Sequence, residues 1–102
     1  MIIYNVTVSI QHNLLKEWLE WMTNTHIPEV MRTNLFISAQ LKRVIINNDS
    51  GFTYAVAYTC HSLKDLQKYE STFAVNLQEK YKTKFGENAP SFRTIMSIEK
   101  EF

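Results

Sequence analysis

Cysteine, glycine and proline are all scarce in this chain, at one, two and two residues of 102. The lone Cys60 has no partner for an internal disulfide, so the cross-linked framework of small exported domains is excluded and a reducing cytoplasm is the expected setting. So little Gly and Pro also excludes collagen-like and low-complexity chains. Charge of one sign is missing as well: eleven Lys and Arg against ten Asp and Glu leave a net +1, too little to gather a polyanion. No run approaches the roughly 18 apolar residues of a membrane span, and the chain opens into a strand-like segment rather than a charged leader. What is present is a folding composition, 45% hydrophobic and 13% aromatic. At 12.0 kDa, one domain spanning residues 1–102 is expected.

Between Ile2 and Ile10, apolar Ile2, Tyr4, Val6, Val8 and Ile10 alternate with Ile3, Asn5, Thr7 and Ser9, which predicts a half-buried strand with its even positions inward. Asn13 is placed to cap a helix with Leu15, Leu19 and Met22 on its apolar stripe, widened by Leu14, Trp18 and Trp21. Pro28 lacks an amide hydrogen, so an interruption is expected around Thr25 to Pro28, then a short turn through Met31. Leu35 to Asn47 reads as a long strand with apolar groups on both parities. Asn47 to Gly51 supplies turn chemistry for a hairpin into a third strand from Phe52 to Cys60. Ser62 and Asp65 form a capping pair before a helix with Leu66, Tyr69, Phe73, Leu77 and Tyr81 at spacings of three and four, and Gly86 ends or follows it. Phe92, Thr94, Met96 and Ile98 restore the two-residue period.

This order, strand, helix, strand, strand, helix, strand, is most simply satisfied by an α+β, ferredoxin-like βαββαβ sandwich with one antiparallel four-stranded sheet and both helices on one face. The other face would then carry apolar groups, either Phe36, Val44 and Ile46 or Ile37, Leu41 and Ile45. Such a face predicts a homodimer packed sheet to sheet.

His26 is the candidate catalytic residue, because it falls at the expected irregularity of the first helix and titrates near neutrality. Its plain structural role would be a partly buried ring bonded to a backbone carbonyl. Trp18, Trp21, Met22 and Tyr58 are candidate ligand-binding residues, able to wall a pocket for a small apolar or aromatic molecule; the competing role for them is core and interface. Cys60, without a CxxC partner, reads as a structural thiol. His61 with Asp65, and His26 with Glu29, each lack a third ligand, so no metal and no cofactor is expected. Glycine-rich phosphate loops, His-Glu-x-x-His helices and Gly-x-Ser-x-Gly elbows are missing from the sequence. An RNA-recognition module shares the element order, but no basic residue precedes Gly51, Ala57 replaces an expected aromatic, and Tyr4 belongs to the inward parity, so nucleic acid is not an expected partner. The choice is between a homodimeric ligand-binding protein, with proton transfer by His26, and a dimerisation module without small-molecule chemistry.

The string Glu17-Trp18-Leu19-Glu20-Trp21-Met22, followed by His26-Ile27-Pro28-Glu29-Val30-Met31, resembles the signature of the DUF4286 family, small bacterial proteins of unassigned function. Tyr54-Ala55-Val56-Ala57-Tyr58 and Phe92-Arg93-Thr94-Ile95 are similar to its later strands, so the resemblance covers nearly the whole chain. It implies a ferredoxin-like chain of the dimeric α+β barrel type. That superfamily includes cofactor-independent oxygenases, small isomerases, haem-degrading enzymes and ligand-sensing domains. Several of its enzymes place a histidine near the end of the first helix, facing a pocket, and His26 matches that position.

Overall fold

The computed structural model describes residues 1–46 and 52–102. The alternation of the first strand is realised as β1 (Ile2–Ile10), whose Ile2, Tyr4, Val8 and Ile10 are buried while Ser9 is exposed. It pairs antiparallel with β3 (Phe52–Cys60) on one side and β4 (Ser91–Ser97) on the other, and β2 (Ser38–Val44) pairs with the far edge of β3. The resulting order is β2-β3-β1-β4. The strands expected around the hairpin are therefore adjacent and antiparallel, while its connection, Asn47 to Gly51, lies outside the described residues.

The four-stranded ferredoxin-like sheet is as expected; the barrel is not. β2 and β4 each pair on one side only, so the sheet stays open with two free edges instead of closing on itself. Closure requires a further ladder between the outer strands. Here they are separated by the full width of β3 and β1.

Register fixes what each face holds. Tyr4 lies opposite Tyr58 and Ile95, Val6 opposite Val56 and Arg93, and Val8 opposite Tyr54 and Ser91, so these residues share the face under the helices. Ile3, Thr7, Ala55, Phe92, Thr94 and Met96 share the opposite face by the same register. The second strand is shorter than its pattern suggests. Phe36 precedes it and packs into the core against Tyr58 and Tyr69, and Ile45 and Ile46 follow it as exposed residues. Neither predicted set occupies the open face intact: Val44 lies on it, whereas Leu41, opposite Val56, lies on the helix side.

Two helical arms cover the sheet. The first runs through a 3-10 turn (His12–Leu14), α1 (Leu15–Trp21), a π-helical turn (Met22–His26) and α2 (Ile27–Met31). Asn13 does not cap it; Gln11 occupies the cap position and makes no side-chain bond. The most deeply buried positions are Trp18 and Met22, with Leu15 and Leu19 on the flank. Asn34, in the left-handed region at φ 63°, turns the chain after this arm.

The second arm comprises α3 (Leu63–Tyr69), another π-helical turn (Glu70–Ala74) and α4 (Val75–Lys84). As predicted, Ser62 caps it, its Oγ accepting from the Asp65 amide at 3.3 Å. Gly86 follows it with φ 54°, a conformation that carries no Cβ penalty only for glycine. Two ion pairs join the arms, Lys80 to Glu29 at 2.8 Å and Lys84 to Glu17 at 3.4 Å.

Candidate functional site

Pro28 does not interrupt the first arm. Its ring would crowd the carbonyl of Asn24 in a regular helix, and Asn24 lies inside the π turn, where the wider i→i+5 spacing relieves that crowding. The helix thus passes through the proline intact and brings Met22, His26 and Val30 down one side toward the sheet. In the second arm Ser71 Oγ donates to the Lys68 carbonyl at 3.2 Å, competing with the backbone at the start of that π turn. Each arm therefore carries one widened turn.

Between the arms and the sheet lies a cleft. Met22, His26 and Val30 line it from the first arm, Tyr69, Leu77, Gln78 and Tyr81 from the second, and Tyr4, Val6, Val8, Val56, Tyr58, Ser91 and Arg93 from the sheet. Its interior is small, a cavity of about 30 Å³. That is room for one or two waters. Three of the predicted site residues, His26, Met22 and Tyr58, are brought together there; Trp18 and Trp21 are not among its lining.

Both tryptophans instead support the cleft from behind. Trp18 is fully buried, and its Nε1 donates to Tyr81 Oη at 3.0 Å, while Tyr81 donates to the Ala89 carbonyl at 2.9 Å. This chain ties the first arm to the second and to the loop entering β4. Trp21 stacks on His26 with centroids 4.9 Å apart and planes 19° from parallel, and fixes the plane of the imidazole. It also packs against Tyr81 and Phe85 and lines a surface hollow with Thr25 and Lys80.

His26 Nδ1 is buried and has no hydrogen-bond partner among the described residues. Burial pulls the imidazole pKa down to about 4; Glu29 opposes this, and Arg93 and Lys80 reinforce it. The ring is therefore neutral at pH 7. Neither Tyr58 nor Tyr69 has a hydrogen bond from its hydroxyl to the described residues, and burial raises both phenol pKa values, so they remain neutral donors. Tyr81 is raised for the same reason. Cys60 is buried away from this cluster, its thiol donating to the Ser62 carbonyl at 3.4 Å and its pKa raised by burial. Among the described residues no three His, Cys, Asp or Glu side chains gather as metal ligands.

Arg93, an exposed residue, is one cleft-lining residue that sequence reasoning missed, as are Tyr69 and Tyr81. Arg93 stands on the helix-facing parity of edge strand β4, and its Nε donates to the buried Tyr4 hydroxyl at 2.6 Å. It has no acidic partner among the described residues. The available signal was its place in the alternation: a charged residue on the parity opposite Phe92, Thr94 and Met96.

Outside the cleft lies a groove of about 410 Å³ between α4, the turn at Gly86–Asn88 and the start of β4. Gln78, Tyr81, Ser91 and Arg93 line both spaces. These shared walls place the large groove directly beside the small cleft.

An open β2-β3-β1-β4 antiparallel sheet with both helical arms over one face is a ferredoxin-like fold, and this chain has it. Residues 1–99 match the Domain of unknown function (DUF4286), and the chain belongs to that family. The fold is similar to that of an EthD (ethyl tert-butyl ether d) family protein of Bacillus halodurans, with TM-score 0.68 and 16% identity, covering 96% of this chain and 99% of that one. It is also similar to two dimeric ferredoxin-like proteins from an uncultured marine organism, each 13% identical. The first has TM-score 0.65 and covers 99% of this chain and 97% of its own; the second has TM-score 0.68, with 100% and 98% covered. None of the curated proteins compared matches the chain. No helix among the described residues is long and apolar enough to cross a membrane.

Proposed function

We propose that this chain is a small-ligand protein that acts as a homodimer, with the ligand's body in the groove, its polar end in the cleft, and His26 as the group that exchanges a proton with it. The observation that carries this reading is the buried, unpartnered Nδ1 of a neutral imidazole at a polar cavity. Leaving such an atom unbonded costs on the order of 1–3 kcal/mol, which a water or a ligand group relieves. The groove supplies the volume that the cleft lacks. Trp21 acts as the positioning residue for His26, and Met22 and Tyr58 as contacts.

The dimer is supported by the open face, where Phe92 and Met96 are 63% and 42% exposed beside Ile3 and Ala55, and by the description of two similar structures as dimeric. Sedimentation equilibrium is expected to give about 24 kDa, twice the 12.0 kDa chain, at micromolar concentration. Phe92→Asp with Met96→Asp should shift it to the monomer mass, because a mated face would leave both charges without water. A 12 kDa wild type across that range overturns the dimer.

One observation favours the dimerisation module without small-molecule chemistry: the cleft's 30 Å³ is far below the roughly 300 Å³ of an ordinary ligand pocket. Native mass spectrometry of protein drawn from cell extract separates the two readings. An added mass, expected to be an aromatic or quinone-like compound, that disappears in His26→Ala supports the ligand reading. Only empty dimer leaves the module.

A further inference from the structure

We infer that the cleft is built to receive the anionic oxygen end of an organic ligand, with Arg93 as the residue that selects for that charge. This rests on the ligand-binding reading above and specifies the chemistry of its polar end.

Among the described residues Arg93 is the one formally charged side chain lining the cleft and no carboxylate lines it, while Glu79, Glu87 and Lys82 line the adjoining groove; Glu29, the acid acting on His26, is engaged by Lys80 at 2.8 Å. Arg93 commits Nε to Tyr4, which anchors the guanidinium against the sheet, and its two terminal nitrogens have no acceptor among the described residues. A guanidinium anchored by one edge offers its remaining N–H groups as a preset fork for a carboxylate-like group.

Tyr58 and Tyr69 line the same cleft with hydroxyls that lack protein acceptors, and two neutral O–H donors beside a cation suit an anionic oxygen. The inner space admits one small polar group, and a flat body then extends past Arg93 into the groove that shares this residue.

Benzoate and benzamide, matched in shape and different in charge, provide the test with the full-length protein. Titration followed by the ¹⁵N signals of the Arg93 side chain and the His26 ring should show both groups moving, with benzoate bound about tenfold or more tightly than benzamide. Arg93→Met should abolish the preference for benzoate and Arg93→Lys should keep part of it, both in proteins whose amide spectra remain dispersed. Tyr4→Phe, which releases the anchor without removing the charge, should weaken benzoate less than Arg93→Met does. Equal binding of the two probes with His26 still responding overturns the charge selection and leaves the ligand site standing. Benzoate signals confined to surface lysines overturn it too. No response of His26 or Arg93 to either probe removes the ligand site along with the inference.

Discussion

The two faces of the sheet are cut from the same strands, yet they differ in what they ask of each residue. Under the helical arms, Tyr4, Tyr58 and Tyr69 pack with Phe36 at centroid distances between 4.9 and 6.2 Å, and the polar atoms they bring along end at Arg93 and the cleft. On the open face, Asn5, Thr7 and Thr94 stand among Ile3, Phe92 and Met96, and the one side-chain bond between them is local, Asn5 Nδ2 to Thr7 Oγ1 at 3.1 Å. One face is an aromatic core whose polar groups are mostly buried, with Arg93 exposed at its edge; the other is, in the single chain, a mixed surface whose polar groups meet water. Burial and not residue type separates them.

Trp18→Ala against Phe92→Ala gives the sharpest contrast between the faces. Removing the fully buried indole should lower unfolding free energy by about 3–5 kcal/mol, measured by urea denaturation, whereas Phe92→Ala should change the monomer's stability by less than about 0.5 kcal/mol. Comparable losses would show that the open face contributes as much to folding as the core does.

Next in size is a pH effect that only the helix side can produce. His26 has a pKa of about 4 in the folded chain against 6.5 in the unfolded one, so the unfolded state takes up the proton first as pH falls. Stability is complete above pH 6.5 and declines between there and pH 4, by roughly 3 kcal/mol at most at about 1.4 kcal/mol per unit. Denaturation series at pH 7, 5.5 and 4 should show this decline, and His26→Phe should flatten it.

Tyr81→Phe should cost about 1–3 kcal/mol in thermal or urea unfolding, because Trp18 Nε1 loses its acceptor in a place without water. Lys80→Met, which breaks the pair with Glu29 on the outside of the arms, should cost under about 1 kcal/mol. If the outer pair proves the larger of the two, the ranking by burial fails.

β1 was readable because its alternation is clean: even positions are apolar, and odd ones, apart from Ile3, are polar. The same period in β4 marks the other face, since Phe92 and Met96 point away from the helices and Arg93 points toward them. Period two gives the existence of two faces and does not say which is covered. For β2, apolar groups on both parities gave no answer, and register split them between the faces. His26 could be picked out because Pro28 marks an irregular backbone, although the irregularity is a widened turn and not a break. Arg93, Tyr69 and Tyr81 come together only through tertiary packing, across more than 60 residues from Trp18 to Tyr81 and from Tyr4 to Arg93. No local spacing encodes that meeting.

The stack of Trp21 on His26 has an optical consequence. An imidazolium quenches a neighbouring indole by accepting its excited electron, while a neutral imidazole does so weakly. The emission of Trp21 is therefore expected to fall as His26 takes up a proton, whereas Trp18, 0% exposed and bonded to Tyr81, is expected to supply a steadier background in the same spectrum. Emission followed against pH is thus expected to trace the protonation of a ring that lines the cleft.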